Sequence, residues 1–167
     1  KLTPDIFSGI LYDAGKEYGD CMIVVENLAA GHTVLDKLTE KDYPNVYHSY
    51  KSSHEYVDQV TAEYSNSAIA GFTTSSKTRP LIIAKMEEFI RNKLLTIYST
   101  RLLEEMKTFI WHHGRPQAMR KYNDDLVMAC SISCWVRDTA FETSKRDLEY
   151  KKAFLNSMTN TKKEINT

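Results

Sequence analysis

The chain has 167 residues, the size of one ordinary domain, and its 22 lysines and arginines balance 22 aspartates and glutamates. Zero net charge excludes a wholesale basic coat of the histone kind but leaves a local basic patch open. A 42% hydrophobic and 11% aromatic content supplies a core and excludes disorder by composition, and no apolar run approaches the ~20 residues that span a bilayer. The opening residues lack the pattern of a signal peptide. Three cysteines without framework spacing point to a reducing compartment. The sequence starts Lys1-Leu2-Thr3, without an initiator methionine, so a piece of a longer chain is the expectation.

In chain order, Thr3-Pro4-Asp5 predicts a helix start, with Thr3 as N-cap and Pro4 in the first turn. Ile6, Phe7, Ile10, Leu11 and Ala14 follow at helical spacing, and Gly15 stops the run. Cys21 to Val25 is a short continuous apolar run, which predicts a strand buried on both faces, as in a parallel sheet. Thr33 and Asp36 stand as a capping box before a short helix carrying Val34, Leu35 and Leu38. Pro44 to His48 predicts a second short strand, and strand–helix–strand implies an α/β domain with parallel strands. Residues 49–79 predict a loop or an irregular hairpin. Pro80 opens an amphipathic helix with Ile82, Ile83, Met86, Phe89, Ile90 and Leu94 inward. Thr96 to Tyr98 is a predicted strand, and Ser99 or Thr100 caps a helix through Leu102, Leu103 and Met106 to Phe109 or Ile110. Trp111 to Tyr122 is irregular, with extended segments as the alternative. Asn123-Asp124-Asp125 starts a helix to Val136, and a helical tail from Thr143 to about Met158 carries Leu148 and Leu155 on one stripe.

Few residues are candidates for chemistry. Glu26 lies just past the carboxyl end of the apolar strand, where open α/β sheets place ligands; a glutamate that has merely reached solvent is the plain alternative. Asp124 and Asp125 suit the start of a helix, where carboxylates cap free N–H groups and face the positive dipole end. Asp125 also heads the stripe Asp125, Ala129, Ile132, Val136, and a carboxylate turned toward a sheet needs a partner such as a divalent cation. Cys130 and Cys134, with His112 and His113 upstream, lack zinc-site spacing and are better taken as small buried residues. Lys77, Arg79, Lys85, Arg91 and Lys93 face only Glu87 and Glu88 nearby, and the loop Thr73 to Arg79 mixes hydroxyls with cations as phosphate contacts do. No nucleotide-binding loop, dinucleotide fingerprint or serine nucleophile elbow occurs.

Taken together, Val24-Val25-Glu26-Asn27 before a Gly31-led helix resembles the second catalytic segment of bacteriophage large terminase nuclease domains. Tyr122-Asn123-Asp124-Asp125-Leu126-Val127-Met128-Ala129 is similar to their last catalytic segment, and Gly71 to Lys93 to the loop and helix between. The likeness is to the tailed myovirus packaging motors and covers about Asp20 to Trp135. It implies an α/β fold of the RNase H-like kind, a mixed sheet flanked by helices, over residues 1–140, with 141–167 as a helical tail. It further implies a DNA endonuclease with two Mg²⁺ or Mn²⁺ ions held by Glu26 and Asp125, with Asp124 as a further candidate ligand, and DNA contacts from Thr74, Lys77 and Arg79. The implied partners are double-stranded viral DNA, the portal and the small terminase subunit, with no membrane and action in the host cytoplasm. The family's first catalytic aspartate, on an opening strand, has no counterpart here, because Asp5 and Asp13 fall on a helix. The expectation is therefore an N-terminally truncated, weak or inactive nuclease that self-associates through the edge the missing strands would cover, or else a non-catalytic RNase H-like module binding DNA or a partner.

Overall fold

The computed structural model describes residues 2–50 and 68–139. The predicted tail helix, the boundary at 140/141 and the middle of the 49–79 segment lie outside the described residues.

Helix α1 (Pro4–Glu17) starts as its sequence dictates, with Thr3 Oγ1 accepting the Ile6 N–H at 3.5 Å and Pro4 in the first turn. It does not stop at Gly15. That glycine sits inside the helix because a Cβ there would lie 2.2 Å from the Tyr43 hydroxyl oxygen. The helix therefore buries its small residues, Ser8 and Gly15, with Leu11 and Tyr12 beside them, while Ile6, Phe7 and Ile10 stay exposed. Helix α2 (Ala30–Glu40) packs against α1 and buries Val34, Leu35 and Leu38. It begins upstream of the expected Thr33–Asp36 capping box, after Ala29 at φ +46° and without a side-chain cap. Contact rather than capping sets its start: Gly31 lies so close to the Glu26 carbonyl that a Cβ would come within 1.9 Å of the oxygen. The helix ends in a Schellman turn, Asp42 at φ +51° and Tyr43 N–H to Leu38 O at 3.0 Å.

The extended segment 21–27 bridges in parallel first to Val46, through Ile23, and then to Phe72, through Glu26. The first pairing closes the expected strand–helix–strand unit around α2. The segment is less buried than an interior strand: Ile23 is buried, Val24 and Val25 partly so, and Cys21 and Met22 are exposed. All its ladder bonds lie on one edge; among the described residues, no backbone bond reaches Met22 or Val24 on the other. Strand β1 (His48–Tyr50) pairs antiparallel with β2 (Ala68–Ala70), so the ends of the unreadable stretch form a ribbon.

Ile23 and Val25 face a cluster with Leu11, Val34, Leu38 and Tyr43, whereas Val24 faces Ile82, Met128, Ile132 and Val136. Alternation along one extended segment thus puts α1 and α2 on one side, and α3 (Thr78–Arg91) and α5 (residues 125–139) on the other. The result is mixed α/β, with helices on both sides of the extended segments.

Helix α3 starts before Pro80. Ser75 Oγ accepts the Thr78 N–H at 3.0 Å while Thr78 Oγ1 accepts the Ser75 N–H at 2.7 Å, a reciprocal cap. Ile82, Met86 and Phe89 are buried as predicted. Ile90 and Leu94 are 38% and 56% exposed, because the helix ends at Arg91 in a Schellman turn with Lys93 at φ +58° and Leu94 N–H on Phe89 O. Thr96 to Tyr98 is not a strand; Leu95 and Ile97 pack irregularly onto the core and Tyr98 stays in solvent. Ser99 caps α4 (Thr100–Lys107), accepting the Leu102 N–H. Phe109 and Ile110 leave that helix for β3 (Phe109–His112), which pairs with β4 (Arg115–Ala118) across His113 and Gly114, both at positive φ. This two-residue turn has the backbone sign of a type I′ hairpin and joins extended segments in the stretch expected to be irregular.

Candidate functional site

Glu26 and Asp125, almost a hundred residues apart, line one cleft of about 250 Å³. Val24, Met128, Ala129, Ile132 and Ser133 complete its walls with Arg79 and Asp124. Two devices place Glu26. Gly31 lets α2 abut its carbonyl, and the next residue, Asn27, is pinned on three bonds. The Asn27 N–H donates to Phe72 O at 3.0 Å, and its buried amide donates to Ala70 O at 3.2 Å and Thr73 Oγ1 at 2.9 Å. Gly71, at φ +83°, makes that approach feasible, since a Cβ would lie 2.5 Å from Val25 O.

The aspartate pair divides. Asp124 is committed to structure: its Oδ2 accepts from the Arg79 guanidinium and from the Ala118 N–H at 3.1 Å, and its carbonyl accepts the Met128 N–H at 2.8 Å. The open N–H groups of α5 are capped from another helix, Glu105 Oε2 accepting from Leu126 at 2.7 Å and Val127 at 3.1 Å. Asp125 is thus released from capping. Neither Asp125 nor Glu26 makes a hydrogen bond or ion pair among the described residues, although both line the cleft. Nothing in the sequence marked Glu105 for its task; an inward glutamate on an amphipathic helix has no local signature.

The loop residues have different positions. Arg79 is in the cleft wall, but its Nε donates to Pro116 O at 2.8 Å and its other end holds Asp124, so it ties β4 to the start of α5. Thr74 lines a neighbouring groove. Lys77 precedes α3, its N–H donating to Ser75 Oγ at 3.3 Å, and its side chain is in neither wall.

A divalent cation needs oxygen ligands, and Mg²⁺ is commonly held by one or two carboxylates with water filling the rest of its shell. Glu26 and Asp125 bring two carboxylates to the cleft, the number that such a hydrated ion takes. A second close ion requires more negative charge, and the charge of Asp124 is already offset by the Arg79 guanidinium on its Oδ2. No group of three or more histidine, cysteine, aspartate or glutamate side chains forms a ligand set among the described residues. The cysteines follow their structural reading: Cys134 is buried and Cys130 half-buried, as a hydrogen-bonded thiol pair on α5. Donation to Cys130 and burial push the Cys134 thiol up, and the accepted bond holds Cys130 at about 7.

No helix among the described residues is long and apolar enough to cross a membrane. Compared with protein-family models and with curated proteins, the chain matches none.

Proposed function

We propose that the chain is the metal-dependent nuclease domain of a viral genome-packaging terminase, RNase H-like in fold. Its substrate is double-stranded DNA, cleaved by phosphodiester hydrolysis. The observation that carries this reading is the cleft shared by Glu26 and Asp125, in which both carboxylates are without other partners among the described residues while Asp124 and Glu105 perform the structural tasks. Glu26 and Asp125 would hold Mg²⁺ or Mn²⁺, which when bound supplies charge stabilisation to the attacking water and to the leaving oxygen. Glu26 presents its carboxylate from a strand end fixed by Asn27 and Gly31. Asp125 presents its own from a helix start fixed by Glu105. The apolar side chains of Val24, Met128 and Ile132 line the same cleft. In the virus, the domain would act in the host cytoplasm with the portal and the small terminase subunit.

A second reading is a non-catalytic RNase H-like module that binds DNA or a partner, and one observation favours it: the described residues bring only two free carboxylates to the cleft. Calorimetric titration of the full chain with Mn²⁺ separates the two. The nuclease reading expects saturable binding that is lost in the Glu26→Ala, Asp125→Ala double variant, with weak or absent plasmid cleavage in Mg²⁺ and traces in Mn²⁺. An unchanged metal response in the double variant favours the binding module. Robust digestion that survives Glu26→Ala would put the site elsewhere.

A further inference from the structure

Among the described residues, the acidic cleft sets one cation among three carboxylates: Arg79 lines it with Glu26, Asp124 and Asp125. Arg79 is held at two points. Its Nε donates to Pro116 O at 2.8 Å, and a terminal nitrogen donates to Asp124 Oδ2, which also accepts the Ala118 N–H at 3.1 Å. Pro116 is fully buried, and the side chains of the ion pair are only 25% and 22% exposed. Strand β4 thus grips both members of the pair where the start of α3 meets the start of α5. A guanidinium so placed is a fixed charge that no accessible pH removes.

The charges of this cleft have a direct consequence. Arg79 offsets one of the three carboxylates, and the surplus that remains is the charge one divalent cation balances. A second dication would enter a cleft already neutral and would meet the guanidinium in its wall. Two-metal sites hold their ions about 4 Å apart, and only a surplus of ligand charge overcomes the repulsion between them.

We propose that Arg79 stands in for a second metal ion, so that the cleft takes a single divalent cation on Glu26 and Asp125. The inference rests on the nuclease reading and departs from the two-ion site that the resemblance implies. Arg79 is here a positioning residue. It keeps the Asp124 carboxylate off the metal and sets how many ions enter, while Glu26 and Asp125 do the binding.

The test counts ions. The full chain is titrated with Mn²⁺ and followed by calorimetry and by electron paramagnetic resonance, which separates an isolated bound ion from an exchange-coupled pair. The parent should bind one ion per chain with the spectrum of isolated Mn²⁺. Arg79→Gln removes the charge but keeps an amide that can donate to Asp124, and it should admit a second, coupled ion or tighten the first about tenfold. Arg79→Lys, which keeps the charge, should hold the count at one. Asp124→Asn leaves Arg79 uncompensated and should weaken the single ion about tenfold although no ligand is removed. Two coupled ions in the parent overturn the inference and leave the nuclease reading standing. So does an Arg79→Gln chain, folded by circular dichroism, that takes one ion at unchanged affinity. Should that variant not fold, unchanged affinity in Asp124→Asn overturns the inference instead. Absence of Mn²⁺ binding that depends on Glu26 and Asp125 removes the nuclease reading and this inference with it.

Discussion

Asp124 and Asp125 are chemically identical neighbours whose substitution should have opposite signatures. Asp124→Asn removes the charge facing a partly buried Arg79 and weakens the bond to the Ala118 N–H, so a loss of about 1–3 kcal/mol in urea denaturation is expected. Asp125→Asn disturbs no bond among the described residues and should stay within about 0.5 kcal/mol of the parent while abolishing Mn²⁺ binding. The opposite ranking would exchange their roles. Tyr43 gives a pH-dependent case. Its hydroxyl donates to Cys21 O at 2.6 Å, and burial, with the nearby Cys21 and Asp20, raises its pKa above the usual value. A raised pKa means that the folded state holds the proton more tightly. Its contribution is therefore complete below the unfolded value of ~10 and is lost as pH rises through the higher folded value. Tyr43→Phe should cost about 1 kcal/mol at neutral pH, with the gap narrowing above pH ~10. A gap that widens there would show that the hydroxyl is not protected.

At the scale of elements, borrowed termini matter most. Helix α5 receives its cap from Glu105 of α4, a bond across 21 and 22 residues of sequence. Glu105→Ala leaves two N–H groups open at the start of α5, and a loss of about 1–2 kcal/mol is expected, comparable with removal of a local N-cap. Because the same turn carries Asp125, the variant should also weaken Mn²⁺ binding without touching a ligand. Destabilisation with unaltered metal affinity would show that the cap does not position the carboxylate. The element starts at Thr3 and Ser99 were legible in sequence because side chain and backbone lie within one turn, whereas α5 starts where its aspartates suggest but takes its cap from Glu105. The start of α2 was not, since the approach of Gly31 to Glu26 fixes it. The turn of the β3–β4 hairpin, between extended segments that the sequence allowed, was not legible because His-Gly is a weaker turn signature than Asn-Gly, although His113 takes the positive φ such a turn demands.

For the molecule as a whole, the notable feature is an asymmetric strand. Segment 21–27 is bonded to Val46 and Phe72 along one edge and, among the described residues, bare along the other. Met22 at that edge and Ile6, Phe7 and Ile10 on α1 are exposed apolar side chains. Bare backbone and exposed apolar side chains each favour pairing with another chain. Self-association at micromolar concentration is the expected outcome in sedimentation, and Met22→Lys should shift it toward monomer by adding a charge at the edge. A strictly monomeric parent chain would refute this while leaving the cleft as described.

The sequence by itself determined the helices of the described residues and the parallel strand–helix–strand order, and pointed to two carboxylates, because periodicity, caps and strand ends are local properties. It singled out Asp125 over Asp124 from the helix stripe, but could not show what would occupy Asp124 or cap the helix in its place. That depended on Arg79 and Glu105 arriving from distant segments to take up the structural tasks. Nor could it reveal that α1 would bury serine and glycine in place of its isoleucines, a choice made by the close approach of Tyr43. Only tertiary structure decided these points, because hydrogen-bond satisfaction and close packing are settled between elements rather than along them.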